Sequence, residues 1–590
     1  VQYDESVKHA ACRNGLVILW LYFSASIVFL SVVSCLILPV QFHKKRISMR
    51  AKISQSFSQP TRLSLLVAAV VAGLSACGGN ANIAGDDAAV RSIDTVVVIY
   101  AENRGFDTLY GLFPGANGVP GVNPSSKGAY LPQVDVDGAV LPVLPPTWGG
   151  VTAPGQTKVM TQAQSAGMPN KPFQIDGKTG MNVGSDVVTR DLVHRYYNNQ
   201  MQINGGRNDK FATYSDAGGL SMGYYDGSSM AMWQLAKEYT LADNFFMGSF
   251  GGSFQNHQYL ICACTPQYPN ADKSPAKGGI SKIDVDANGN FVRLTPAASS
   301  PKSTLDGAQK YANDGTLTPP DDKGMYYAVN TMQPPYQPSN VAAPASDAAK
   351  LYADPNSAST LPPQTQKNIG DLLSGKGVSW AWYAGAWNST LKVAQGDRKF
   401  PSPKPNFQFH HQPFNYFASM DPVKNAAYRA EHIKDFDASF LQDAAAGKLP
   451  AVSFYKPQGN LNQHAGYADV ASGDAHIADV VNKLRQSPQW KHMLIVVTYD
   501  ENGGFWDHAA PPKADKWGPG TRIPAIIVSP YAKKGYIDSS LYDTSSVLRF
   551  ITRRWSLPVL DGIALRDKAI QANGGTPIGD LSNALVSPAN

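Results

Sequence analysis

Apolar positions in this chain gather into short, unalternating runs, and the clearest of them end in acidic side chains. The run Thr95–Ala101 (TVVVIYA) is rich in β-branched residues and too short for most helices. Because it does not alternate, it predicts a strand covered on both faces. It ends in Glu102 and Asn103. The same form recurs at Met493–Tyr499, which ends in Asp500 and Glu501, and at residues 524–528, with weaker versions at 378–384 and 451–455. Between them, residues 472–488 carry Ile477, Val480, Val481 and Leu484 at helical spacing, with Asp474 near the start and a proline at the end. Residues 543–555 show a polar cap and the same period. Both segments predict amphipathic helices. Alternating buried strands and amphipathic helices predict an α/β sandwich. Ligands of such sheets gather beyond the carboxyl ends of the strands, where Glu102, Asn103, Asp500 and Glu501 fall.

The flanks read differently. Residues 266–365 are dense in Pro, Ala, Ser, Asp and Lys with little periodicity, and are expected to form an insertion over the active-site side of the core. Residues 16–40 carry no charge and are long enough to cross a bilayer. A second apolar stretch, LSLLVAAVVAGLSAC, follows a basic start and ends at Cys77. It reads as an export signal. Its last four residues, Leu74 to Cys77, resemble the bacterial lipoprotein signal, which implies an acylated Cys77 as membrane anchor. Gly78 then favours outer-membrane sorting. The first methionine is Met49, so residues 1–48 are either a start-site over-extension or a membrane segment, 49–77 the signal and 78–92 a flexible tether. The catalytic body is expected at 93–575 and a C-terminal tail at 576–590. The protein is expected to be exported, either periplasmic, anchored at the outer membrane, or secreted.

Charge and cysteines then narrow the class. The formal +6 lies in the leader, which holds eight Lys/Arg and two acids before Cys77. The body is balanced, so there is no nucleic-acid-binding signature, and no protein partner is predicted. Beyond Cys77 only Cys262 and Cys264 remain. Two residues apart on a strand, they would make a strained bridge, and are expected as core thiols.

Carboxylates converging from two strand ends need a cation. An oxygen-rich set of Glu102, Asn103, Asp500 and Glu501 prefers a hard divalent ion of the Ca²⁺, Mg²⁺ or Mn²⁺ class. Paired acids at strand ends also cap helices or pair with arginine. A third piece, SFGGSFQNHQYLI at 249–261, places the Ser253 hydroxyl after two glycines, where backbone can approach a ligand. Serine needs a base or a metal to become a nucleophile. The same glycines are also compatible with a simple turn.

The words YAENRGFDTLYG, DNFFMGSFGGSFQNHQ and VVTYDENGGFWDHAAPP, in this order, resemble the bacterial phosphoesterase family of acid phosphatases and non-specific phospholipases C. The resemblance runs over residues 93–558 apart from the insertion. It implies an alkaline-phosphatase-like fold and one divalent metal bound by Glu102, Asn103, Ser253, Asp500 and Glu501. It further implies in-line attack by Ser253 on a phosphate ester through a phosphoserine intermediate, with Asn256 donating to a phosphoryl oxygen. The local word GGSFxNHQ resembles the acid phosphatase branch, so a phosphomonoesterase is expected, with phospholipase C or another phosphodiesterase as the alternative.

Phosphoryl transfer also requires donors around the equatorial oxygens. Histidine is the expected supply, at His194, His410, His411 and His464. Imidazolium forming below about 6.5 would give an acidic optimum. His257 is expected to orient the serine loop, His476 to lie on a polar helix face, His432 and His492 at the surface, and His508 to pair with Asp507. The aromatic segment WAWYAGAW at 380–387 is a candidate wall for the leaving group. A sulfatase is rejected because Tyr268 stands where the C-x-P-x-R word needs arginine. A two-zinc site is rejected for want of a second His/Asp cluster.

Overall fold

The computed structural model describes residues 87–392 and 406–587. The apolar stretch at 16–40, the signal at 49–77 and Cys77 lie outside the described residues. Eight strands form the central sheet. In chain order they are β1 (Thr95–Ala101), β2 (Thr240–Ala242), β3 (Trp380–Ala384), β4 (Ile433–Asp435), β5 (Val452–Lys456), β6 (Met493–Tyr499), β7 (Ala525–Val528) and β8 (Tyr536–Asp538). Their spatial order is β4-β3-β5-β1-β6-β7-β2-β8. All neighbours are parallel except at β7, which runs antiparallel to both β6 and β2. Every residue of β1 and β6 is buried, as the unalternating runs require of strands covered on both faces. The expected α/β sandwich around a mostly parallel sheet is what the chain forms.

Three adjacent parallel strands set up the site. Ala101 is level with Tyr499, and Ile99 with Tyr455. Glu102, Asp500 and Lys456 therefore emerge side by side at one sheet edge, the carboxyl edge. The helices that matter are α1 (Asp87–Arg91), α2 (Phe106–Tyr110), α3 (Tyr196–Ile203), α4 (Ser253–Cys262), α5 (Val470–Leu484) and α6 (Ser545–Arg554). In α5, Ile477, Val480, Val481 and Leu484 are buried along one stripe, as their spacing predicts.

Several expectations are corrected. Residues 87–91 are not part of a tether but the helix α1, with Ala89 and Val90 buried. The described part of the expected tail, residues 576–587, is no loose end: its Ile578, Leu581, Ala584 and Leu585 are buried, because its apolar residues find a surface to cover. Cys262 and Cys264 are joined in a disulfide. They do not share a strand. Cys262 ends α4, Ala263 turns left-handed at φ 49°, and the reversal brings the two Cα atoms to 5.1 Å. The segment WAWYA of 380–384 is the fully buried strand β3, so its rings fill the core and do not wall a leaving-group pocket. His432 is buried too, stacked on Trp380 at 4.1 Å, and His492 is half-buried with Nδ1 2.9 Å from the Ser92 carbonyl. The insertion abuts the site segment as expected, since Arg195 donates to the carbonyls of Asp314 and Gly315.

Candidate active site at the carboxyl edge of the sheet

The serine is carried on the first residue of α4, after an extended Gly252. The two preceding glycines have a steric reason. A Cβ on Gly251, whose φ is +92°, would stand 2.5 Å from the Tyr196 nitrogen. One on Gly252 would stand 2.6 Å from the His194 carbonyl oxygen. Only glycine lets this loop pass so close to the backbone at 194–196.

Ser253 Oγ is then delivered into a ring of oxygens. It donates to Glu102 Oε2 at 3.0 Å and lies 3.2 Å from Asn103 Oδ1 and 3.5 Å from Glu501 Oε1. Asp500 Oδ1 accepts the backbone amides of Asn103 at 2.9 Å and Glu501 at 2.8 Å. Asn103 reaches this geometry in the left-handed region, at φ 58°, which asparagine tolerates better than most residues. The three carboxylates are wholly buried. Burial, then the neighbouring Glu102 and Glu501, push Asp500 well above the usual carboxylate range. Burial does the same to Glu501. Burial opposes ionisation of Glu102 as well, but His411 and Lys456 beside it hold it well below that range.

The histidines converge from elsewhere in the chain. His464 Nε2 lies 2.9 Å from the Asn103 amide nitrogen and His194 Nε2 3.5 Å from it. Their Nδ1 atoms face the carbonyls of Ala465 and Leu192, which assigns the Nδ1–H tautomer to both. His411 Nε2 is 2.9 Å from Glu102 Oε1, and His410 packs edge-on against His411 at 4.7 Å. His257 stacks on His411 at 5.1 Å with Nδ1 2.7 Å from the Ser253 carbonyl, so it braces the loop as expected. Burial holds His257 and His410 well below the ordinary imidazole value, brings His411 down to about 4, and lowers His464. An acidic optimum resting on a reference value near 6.5 therefore loses its basis at these buried rings, because desolvation disfavours the imidazolium.

Two further expectations change. Asn256 does not face the space beyond the serine. Its amide donates to the carbonyls of Ser249, Gly251 and Gly252, and its Oδ1 accepts the Ser249 amide at 2.9 Å. A side chain on the first turn of a helix points back toward its N-terminus, so Asn256 ties the serine loop together. His508 pairs with Asp107 at 2.6 Å rather than with Asp507, whose carboxylate is taken by Arg522. Lys456, which no local sequence word marks, also stands in this site. Its ammonium contacts Glu102 Oε1. Its one sequence signal is a lone charged residue closing the apolar run at 451–455.

Among the described residues, three groups bring metal-ligating atoms within 4.8 Å of one another: Glu102/His257/His411, Asp191/His194/His464 and Asp107/Asp507/His508. The third is filled by the Arg522 guanidinium. In the first, Lys456 already sits on the Glu102 oxygen facing the histidines. Among the described residues, Asp500 Oδ2 beside Ser253 is buried without a hydrogen-bond partner, as are Glu102 Oε1, His257 Nε2 and His411 Nε2 of the first group. Buried carboxylates driven toward protonation, with one oxygen unsatisfied, form a donor set that a hard cation fits.

Comparison with known proteins gives the chain its family. The model of the Phosphoesterase family matches residues 93–558. Phospholipase C A of Mycobacterium tuberculosis is 22% identical over 535 residues, covering 85% of this chain and 79% of that protein. Non-specific phospholipase C6 of Arabidopsis thaliana is 33% identical over 156 residues, covering 21% and 30%. A crystal structure described as a protein in the alkaline phosphatase superfamily from Vibrio parahaemolyticus is 13% identical, covering 37% of this chain and 53% of that one, with a TM-score of 0.19. That likeness is too loose to carry an argument. With its family words gathered around Ser253 and the match spanning most of its length, the chain belongs to the Phosphoesterase family and is a phosphoric ester hydrolase.

Proposed function

We propose that this hydrolase is a metal-dependent phosphomonoesterase that works through a phosphoserine at Ser253. One observation carries the reading: Ser253 Oγ lies within 3.5 Å of oxygens from Glu102, Asn103 and Glu501, which arrive on two different strand ends. Glu102, Asn103, Ser253, Asp500 and Glu501 would hold one divalent ion. Bound there, it would supply positive charge beside the serine oxygen and the phosphoryl oxygens. Glu102 Oε2, which accepts the Ser253 hydroxyl, is placed to take its proton. The Oγ–P bond forms as the bond to the leaving oxygen breaks in line. The N-terminus of α4, on which Ser253 sits, favours the negative phosphoryl group. In the Nδ1–H tautomer the Nε2 atoms of His464 and His194 accept from the Asn103 amide and so turn its Oδ1 toward Ser253, and His410 and His411 back the Glu102 side. Water then breaks the Oγ–P bond and restores the serine.

Acid quenching during turnover of p-nitrophenyl phosphate should leave phosphate on Ser253 by mass spectrometry. Ser253→Ala should keep phosphate binding and lose about a thousandfold or more in kcat. An unlabelled serine together with a variant that turns over normally would reject the reading. A diester preference is the second reading, favoured by relatives named phospholipases C at 22% identity over most of the chain. Rates on p-nitrophenyl phosphate and p-nitrophenylphosphorylcholine, side by side, decide between the two.

A further inference from the structure

Lys456 closes β5 with its side chain 1% exposed. A buried ammonium is costly unless it is paired and hydrogen-bonded. Here it contacts Glu102 Oε1, donates to the Tyr100 carbonyl at 3.0 Å, and lies 5.6 Å from the centre of the Tyr100 ring. The register explains the placement. Tyr455 is level with Ile99, so Lys456 stands beside Tyr100, two residues short of Glu102.

This contact splits the Glu102 carboxylate. Oε1 faces Lys456 and, at 2.9 Å, His411 Nε2. Oε2 accepts the Ser253 hydroxyl. Among the described residues, Lys456 is the lysine or arginine that ion-pairs with Glu102, Asp500 or Glu501; their other ion-pair partners are His194, His257 and His411. Were all three carboxylates ionised around a bound ion, the one ammonium would leave two negative charges, which match one divalent ion.

We propose that Lys456 is a positioning residue of this site. Its ammonium occupies one oxygen of Glu102, so that the other alone serves Ser253 and the cation, and it sets the pocket's charge for a single divalent ion. The inference rests on the metal-dependent reading above. Lys456 then acts as a resident cation that the incoming metal must tolerate, because like charges in a poorly screened interior repel. The affinity for metal is held down, and Glu102 is kept from turning both oxygens to the ion.

The test is calorimetric titration of the metal-stripped chain with Mn²⁺, and in parallel with Ca²⁺. The wild type should take up one ion. Lys456→Met should bind Mn²⁺ at least about tenfold more tightly and lose at least about tenfold in kcat with little change in KM. Lys456→Arg, which keeps the charge, should bind metal as the wild type does. If the Met variant does not fold, Lys456→Gln carries the same expectation. A lysine that merely holds the strands together predicts unchanged or weaker Mn²⁺ binding in a folded neutral variant, and that result overturns the proposal. A wild-type chain that takes up neither ion removes the metal-dependent reading itself, and this inference with it.

Discussion

Single residues decide whether this site exists at all. Gly251 sits at φ +92°, with room for a hydrogen atom and nothing larger beside the Tyr196 nitrogen. Gly251→Ala should therefore push the serine loop off the 194–196 backbone and displace Ser253 from its three oxygens. The expected result is a folded protein with kcat lowered by about a hundredfold and stability by about 1–3 kcal/mol. Circular dichroism beside steady-state kinetics would check both. Asn256 supports the same loop from beneath through four hydrogen bonds. Its identity is thus explained by the backbone it ties.

Between elements, Arg522 joins all three family words. Its guanidinium is completely buried. It pairs with Asp107 on α2 at 3.0 Å and with Asp507 beyond β6 at 3.1 Å, and donates to the carbonyls of Asn117 and Asp243. His508 closes the cluster against Asp107. The segments that follow Glu102 and Glu501 are thereby fastened to each other. Arg522→Met would leave two buried carboxylates without their cation. A loss of about 3–5 kcal/mol in urea unfolding is expected, larger than any direct effect on metal binding. The disulfide at the end of α4 belongs to this scale as well. Its two cysteines became neighbours because a helix terminates and reverses between them.

At the scale of the whole molecule, the sheet gathers residues far apart in sequence, Glu102, Lys456 and Asp500, by laying β5, β1 and β6 side by side in parallel. The segment at 577–587 completes the far side of this core. Leu581 and Leu585 are buried, and Leu585 bridges to Ala532. Deleting residues 577–590 should lower stability by several kcal/mol, at about 1.5–3 kcal/mol for each fully buried Ile or Leu. The midpoint of thermal unfolding would show it, where removal of a detached tail would change nothing.

Local pattern was enough for five of the eight sheet strands described and for the helices α5 and α6. Seven apolar residues closed by acids could only be a strand covered on both faces, and Met493–Tyr499 forms β6 with the bounds its pattern predicts. The acids at the strand ends, the glycine-flanked Ser253 and the family words were legible for the same reason, since each is a contiguous stretch whose chemistry does not depend on its partners. Lys456, the Asp107–His508 pair, the inward turn of Asn256 and the lowered affinity of His410 and His411 for protons were not legible. Each depends on which side chain stands across from it and on how far water is excluded. Those are properties of residues brought together from up to about four hundred positions apart, and only the folded chain sets the distances and the burial that decide them.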